Sequence, residues 1–393
     1  MYEKVYSTLE FDKVKEKAAF FAVTNKAKEE IISSTPIKNE RILQETLDKT
    51  EEALKTINAK GFLPLNGYAQ AEEYIIHAQK GGTVREGALI KISSSIKYAA
   101  QIKSYIEAKT NVNLSCPLLE EEAAELRNLE KLAKDIDFAI ISEDEINDNA
   151  SPALREIRRK IKAANSAVKN KLNSMIHGSS EKFMQDNLVT MRNGRYVVPV
   201  KSEHKGNVDG IVHDTSQSGL TLFVEPRAVV ELNNELKQLE VQEQREIEEI
   251  LKAFSQRVAE HAFELRHNEK ILTDLDRFFA SARFAYENEL SKPLINNEGI
   301  IDIKKARHPL IDRKKAVASD IAIGENYTQI VITGPNTGGK TVALKTLGLC
   351  VLLSLSGFFI PANENSEICL VDSVFVHCLL SMLTVSFVFY ICF

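Results

Sequence analysis

The sequence predicts a mostly α-helical fold: a helical core, a long pair of helices interrupted by a small β-rich insertion, and then the start of an α/β domain. Three observations predict it. Apolar residues recur at intervals of three and four through the first 175 residues and again from 227 to about 286, the period of helices with one buried face. Between 187 and 226 that period gives way to short apolar runs punctuated by glycine-containing turns, the mark of hairpins. Around residue 330 an apolar run leads into a glycine-rich loop and a further helical segment.

Residues 1–150 read as the helical core. Leu9, Val14, Ala18 and Phe21, then Leu43, Leu47 and Leu54, keep helical spacing, with breaks at Pro36, at Gly61-Phe62-Leu63-Pro64 and at Gly81-Gly82. Ser151-Pro152 marks a helix start, because proline at the first turn lacks only an N–H that has no partner there. From it, Leu154, Ile157, Ile161, Ala164, Val168, Leu172 and Met175 form a narrow apolar stripe on a basic helix. The insertion at 187–226 follows, with Asn193-Gly194, Lys205-Gly206, Asp209-Gly210 and Ser218-Gly219 as its turns. After Pro226 neither proline nor glycine occurs until Pro293, which predicts one continuous helix of about sixty residues, roughly 90 Å long. Its packing partner is the stripe helix, so residues 151–290 form a two-helix arm with a β-module between its strokes.

Residues 291–375 open the α/β segment. Gln329-Ile330-Val331-Ile332-Thr333 reads as a strand, and Val342 to Leu355 as a helix. Between them lies Gly334-Pro335-Asn336-Thr337-Gly338-Gly339-Lys340-Thr341, a complete G-x-x-x-x-G-K-[ST] phosphate loop. Glycines let the backbone curl until successive N–H groups point at one anion, and the following helix adds its positive end. Lys340 is placed to reach the β- and γ-phosphates of ATP, and the Thr341 hydroxyl to ligate Mg2+.

The chain carries a formal net charge of −5 over 393 residues, which by itself does not indicate a nucleic-acid binder. The charge is unevenly spread, however. Residues 120–148 hold eleven acidic and three basic side chains, whereas 155–205 hold twelve basic and four acidic, a local excess of eight positive charges. Local field captures a polyanion, so this stretch is a candidate surface for a phosphate backbone, with a solvated lysine-rich face as the alternative. Arg192, Arg195, Lys201 and Lys205 are the candidate phosphate contacts, and His213 a weaker one. The first seventeen residues mix Glu, Lys and Asp into their apolar positions and make no signal peptide, so a cytoplasmic protein is expected. Five cysteines without a C-x-x-C pair or zinc spacing agree with that.

The phosphate loop, with Ala306-Arg307-His308-Pro309-Leu310 upstream, resembles the MutS family of ABC-like ATPases. The run Thr341-Val342-Ala343-Leu344-Lys345-Thr346-Leu347-Gly348-Leu349 is similar to the second bacterial subfamily. So are Arg192 through Val200, Gly210-Ile211-Val212-His213-Asp214 and Val224-Glu225-Pro226 through Glu235. The resemblance implies core, lever and clamp regions up to about residue 290 and a nucleotide-binding head from about 300. It further implies a homodimer gated by ATP and Mg2+, with branched or recombination-intermediate DNA, or stalled and collided ribosomes, as partners. His308 is implied to lie near the nucleotide; a histidine in a helix-breaking turn that caps a backbone carbonyl is the alternative. Val317 is a weaker candidate to line the adenine and reads more simply as a core valine.

Two features depart from the family pattern. The mismatch-reading domain and its Phe-x-Glu wedge are not found; Phe223-Val224-Glu225 ends the β-module instead, so recognition by shape is the expectation. After Asp372 the sequence carries no Asp, Glu, Lys or Arg, and residues 376–393 form a divergent apolar tail. That tail is long enough for a membrane span, but a premature or frame-shifted end is the expectation, with no membrane involved. The acidic Walker B strand and the C-terminal nicking domain that the family implies are then absent, no catalytic residue is assigned, and a non-catalytic coiled-coil adaptor or inactive fragment is the competing reading.

Overall fold

A computed structural model of the chain describes residues 2–109, 114–178, 180–325, 329–330, 339–381 and 384–392. The N-terminal helices are α1 (Tyr2–Leu9), α2 (Phe11–Ala19), α3 (Asn25–Ser33), α4 (Glu40–Lys60), α5 (Glu72–Gln79), α6 (Glu86–Glu107), α7 (Pro117–Ala124) and α8 (Glu130–Ala139). A small hairpin, β1 (Ile140–Ser142) with β2 (Glu145–Ile146), precedes α9 (Pro152–Ile176). Next come β3 (Thr190–Arg192), β4 (Arg195–Lys201), β5 (Gly210–Thr215) and β6 (Thr221–Pro226), then α10 (Arg227–Glu260) and α11 (Ala262–Asn288). The remaining elements are β7 (Leu294–Asn296), β8 (Ile301–Ala306), β9 (Ser319–Ile323), α12 (Lys340–Leu355), β10 (Glu367–Cys369), β11 (Ser373–Ser381) and β12 (Thr384–Cys392).

The chain divides into two compact units. One comprises Met1–Glu73, Ser94–Glu130 and Phe263–Phe393; the other comprises Tyr74–Ser93 and Lys131–Ala262.

In the second unit α9 and α10 pack together, as the apolar stripe predicts. Val168, Leu172 and Ile176 of α9 share a buried cluster with Val229, Leu236 and Leu239 of α10 and with Val198, Val200 and Val224 of the sheet. The start of α9 is tied twice. Ser151 Oγ accepts the Leu154 N–H at 2.9 Å, an N-cap, and donates to Glu246 Oε1 of α10 at 2.7 Å. Two turns on, Arg158 binds Glu243 of α10 at 2.6 Å. The sheet is antiparallel in the order β3-β4-β6-β5. Its first hairpin turns at Asn193 (φ 52°) and Gly194 (φ 74°), the left-handed pair that an Asn-Gly turn requires. Lys205-Gly206 is no hairpin turn; it lies in the irregular 3-10 segment Ser202–Asn207 between β4 and β5.

The single long helix predicted after Pro226 is two. His261 leaves helical geometry (φ −102°, ψ 16°), and α11 starts at the next residue. No glycine or proline marks the break. Its cause is tertiary: Val258 and the residues before it belong to the second unit, whereas Leu272, Leu275, Phe278 and Phe279 pack into a cluster of the first with Ile57, Ile102 and Leu119.

In the first unit buried carboxylates hold chain ends in place. Asp276 of α11 accepts the N–H groups of Val23 and Thr24 just before α3, and Glu52 of α4 accepts those of Leu118 and Leu119 in the first turn of α7. A four-stranded sheet in the order β7-β10-β8-β9 lies in the same unit. Leu349, Cys350, Val351 and Leu352 of α12 are fully buried in a cluster with Phe11 and Val14 of α2 and Ile301 and Ile303 of β8. The apolar tail pairs as an antiparallel hairpin, β11 with β12, in register from Ser373 opposite Cys392 to Ser381 opposite Thr384. Among the described residues no helix is long and apolar enough to cross a membrane.

Candidate functional site

Of the phosphate-loop residues, Gly334, Pro335, Asn336, Thr337 and Gly338 lie outside the described residues, as does most of the strand predicted before them. The last three are described. Gly339 is left-handed (φ 79°) and stands immediately before α12, with nothing among the described residues within 4 Å of where a Cβ would be. Lys340 and Thr341 occupy the first turn of that helix, where unpaired N–H groups and the positive end of the dipole favour an anion.

Thr341 opens onto a cavity of about 980 Å³ whose lining includes Glu10, Lys17, Phe284, His308 and Lys345. A second cavity, of about 1250 Å³, shares Lys17, Phe284 and His308 with the first and extends along Arg307 and Arg313. His308 is buried, and its Nδ1 accepts the Leu310 N–H at 3.3 Å. The ring thus accepts a backbone N–H and does not cap a carbonyl, and it lines the same cavity as Thr341. Burial, with Lys345 and Lys17 adding and Glu10 opposing, lowers its pKa below the ordinary histidine value. A neutral ring that accepts at Nδ1 carries its proton on Nε2 and can donate it. Val317 is 84% exposed, so it is no core valine, and it is not part of either cavity lining.

The charged groups facing Thr341 are ordered by one carboxylate. Glu10, at a left-handed backbone position (φ 63°) between α1 and α2, binds Lys13 at 2.6 Å and Lys345 at 2.9 Å. Hydrogen bonds from Lys13 and then Lys345 bring its pKa down to about 2. Lys345 lies one helical turn beyond Thr341, on the same face.

In the β-module the four basic candidates separate into two pairs. Arg195 binds the fully buried Glu225 at 2.7 Å and Asn234 at 2.6 Å, and His213 Nε2 meets the other Glu225 oxygen at 2.6 Å. Arg192 lies 4.1 Å over the Phe223 ring and pairs with Asp214 at 3.3 Å. Burial would raise the Glu225 pKa, but hydrogen bonds from Asn233, His213 and Arg195 outweigh it and hold the carboxyl below its ordinary value. Phe223 and Glu225 are thus engaged inside the module. Lys201 and Lys205 have no ion pair among the described residues, and Lys205 is exposed. The basic stretch is also partly self-neutralised, since Arg158 and Lys162 both bind Asp148, at 2.6 and 3.1 Å.

The family description MutS domain V matches residues 330–381, the segment that contains Gly339, Lys340, Thr341 and all of α12. Proteins named Endonuclease MutS2 align along nearly the whole chain. The one from Bacillus velezensis is 41% identical over 376 residues, 95% of this chain and 48% of that protein. Those from Ruminiclostridium cellulolyticum and Clostridium beijerinckii are 41% and 42% identical over 376 and 375 residues, again 95% of this chain and 47% and 48% of theirs. The chain belongs to the MutS family, in its MutS2 branch. It spans about half the length of the curated MutS2 relatives it matches.

For a MutS-family chain, the residues present around Thr341 fit a nucleotide. An unobstructed left-handed glycine, a lysine and a threonine in the first helical turn, and a cavity at the threonine would receive the phosphates, with a magnesium ion arriving on them. The sequence singles out Lys340, Thr341 and His308, but it does not point to Glu10, Lys17, Phe284 and Lys345, which line the cavity at Thr341. Lys345 stands within the family-like run Thr341 to Leu349, where no local feature gives it a role. Glu10 and Lys17 precede it by more than 300 residues and carry no local signal.

Proposed function

We propose that this chain is the nucleotide-binding and clamp-bearing portion of a MutS2-type protein, one that binds branched or recombination-intermediate DNA under control of ATP and Mg2+ and suppresses recombination. Stalled or collided ribosomes are a second partner of the same kind, because both present a phosphate backbone in a defined shape. The working form is a homodimer in the cytoplasm. Its relatives' name includes endonuclease; no nuclease residues are assigned to this chain.

The observation that carries the reading is Thr341 at the mouth of a cavity with the buried His308, in the segment similar to MutS domain V. Residues 334–341 would cradle the phosphates, with Lys340 on the terminal pair and Thr341 on magnesium. Neutral His308 would offer its Nε2 proton to the nucleotide. Bound nucleotide supplies the energy that closes the clamp; the chain's own groups bind and orient it. On the β-module, Lys201 and Lys205 are the best-placed phosphate contacts. Arg192 and Arg195 contribute by holding the module's shape.

Two measurements test this. Lys340→Ala is expected to abolish ATP binding, and unchanged affinity would overturn the nucleotide assignment. Reversing Lys201 and Lys205 to glutamate is expected to weaken binding to four-way DNA junctions and reduce the salt slope by about two contacts' worth. If the slope is unaltered, those lysines do not touch the polyanion.

A further inference from the structure

Six lysines and arginines line the two cavities, Lys13, Lys17, Arg307, Arg313, Lys314 and Lys345, and their states differ. Lys13 and Lys345 are both held by Glu10. Arg313, which lines the larger cavity, is paired with Glu289. Lys17, exposed at the end of α2, has neither a hydrogen bond nor an ion pair among the described residues. Among the described residues it is also the only lysine or arginine common to the linings of both cavities, which share His308 and Phe284. Its charge reaches the site: Lys17 is one of the groups that, after burial, disfavour protonation of His308. A lysine in the last turn of a helix is ordinarily accounted for by the dipole. Here it also lines two cavities, beside a helix start of the kind that receives phosphates.

We propose that Lys17 is a nucleotide-binding cation supplied by the N-terminal helix α2, which contacts the polyphosphate of the ligand held at Lys340 and Thr341. The ligand class is a nucleoside di- or triphosphate. The inference rests on the nucleotide reading above and deepens it, because it adds to the pocket a group more than 300 residues away from the matched domain V segment. It makes the N-terminal helices part of the ligand site. Loading the pocket would then fix α2 to α12 through the ligand in addition to the Glu10–Lys345 pair. Glu16, the other acidic group in the smaller lining, opposes the phosphates, which makes an unpaired lysine one residue along the more valuable.

The test uses the full 393-residue chain, with ATP and inorganic tripolyphosphate as probes in a calorimetric or competition titration. Lys17→Ala is expected to weaken both probes by the same factor, roughly fivefold for one partly solvated cation, while Lys17→Arg stays within twofold of wild type. The thermal midpoint of Lys17→Ala without ligand should not move, since the side chain is exposed and unpaired. Unchanged ATP affinity in Lys17→Ala, in a protein whose Lys340→Ala variant has lost it, would overturn the inference and leave the nucleotide reading standing. A loss seen with ATP but not with tripolyphosphate would also overturn it, by moving Lys17 to the base or sugar. If Lys340→Ala binds ATP like wild type, the nucleotide reading falls, and this inference with it.

Discussion

Glu10 and Lys345 are joined by a 2.9 Å ion pair across 335 positions of sequence, and the same carboxylate holds Lys13 at 2.6 Å. The pair connects the junction of the two N-terminal helices to the helix that begins at the phosphate loop. The segment similar to MutS domain V therefore shares a cavity wall with Glu10, Lys13 and Lys17.

That relationship has a measurable acid signature. Hydrogen bonds from Lys13 and Lys345 bring the Glu10 pKa from about 4.5 to about 2 in the folded state. A depressed folded value means that the stabilisation is fully present above the unfolded pKa and is lost as pH falls through the folded one. Glu10→Gln is expected to flatten the stability curve between about pH 4.5 and pH 2, and to cost on the order of 1 kcal/mol at neutral pH after solvent screening. Denaturant unfolding of both proteins at several pH values checks it; parallel curves would remove Glu10 from the account.

Glu225 is the second carboxylate whose removal should be felt. It is fully buried and receives Arg195, His213 and Asn233, and Asn233 in turn bonds the backbone of Tyr196 on β4. Glu225→Ala leaves partly buried Arg195 without its partner and is expected to cost roughly 3–5 kcal/mol. Glu225→Gln, which keeps an acceptor, should cost less. Because the folded pKa is below the ordinary one, the wild-type advantage over Glu225→Gln should shrink as pH falls below the usual carboxylate range.

How much could be read beforehand depends on the range of the cause. The α9 stripe of Leu154, Val168 and Leu172, the Asn193-Gly194 turn and the helix start at Ser151-Pro152 all rest on neighbours within four residues, and each reading matches the structure. Lys205-Gly206 has the composition of a hairpin turn but joins β4 to β5, strands that do not pair with each other, so turn chemistry alone misread it. His261 ends α10 because the residues on either side bury in different units, which no local residue type announces. At the site, motif spacing points to Lys340 and Thr341 and the family resemblance to His308, whereas the commitment of Arg195 to Glu225 was not legible, because charge counting does not register a partner on another strand. The place of Lys17 in the cavity lining was illegible for the same reason, since it depends on where α2 packs.

The start of α9 offers a prediction in which two rules conflict. Ser151 caps the helix and also donates to Glu246. Ser151→Ala is expected to cost about 1 kcal/mol from the cap alone. Aspartate is normally as good a cap as serine, but here it would face the Glu246 carboxylate. Ser151→Asp should therefore be less stable than Ser151→Thr, and the gap should narrow in high salt. Equal stabilities at low salt would show that Glu246 does not hold this position.

Asp276 combines a backbone role with an unfavourable charge, and its variants separate the two. Its oxygens accept the Val23 N–H at 3.0 and 3.1 Å and the Thr24 N–H at 2.7 Å, and Thr24 Oγ1 in turn caps α3 through the Ala27 N–H. Burial is the largest influence and raises the Asp276 pKa despite those donors. Deleting the acceptor strands two N–H groups in the interior, so Asp276→Ala is expected to cost roughly 2–5 kcal/mol. Asp276→Asn retains one carbonyl oxygen for them and removes the buried charge, so its cost at neutral pH should be much smaller. For an acid with a raised folded pKa, the folded state keeps a proton that the unfolded chain has already lost. Wild-type stability relative to Asp276→Asn should therefore decline as pH rises from the unfolded value to the folded one, then stay level. Chemical unfolding across that range decides the matter: if wild type instead gains on Asp276→Asn with rising pH, the backbone donors outweigh burial and the carboxylate is a net stabiliser.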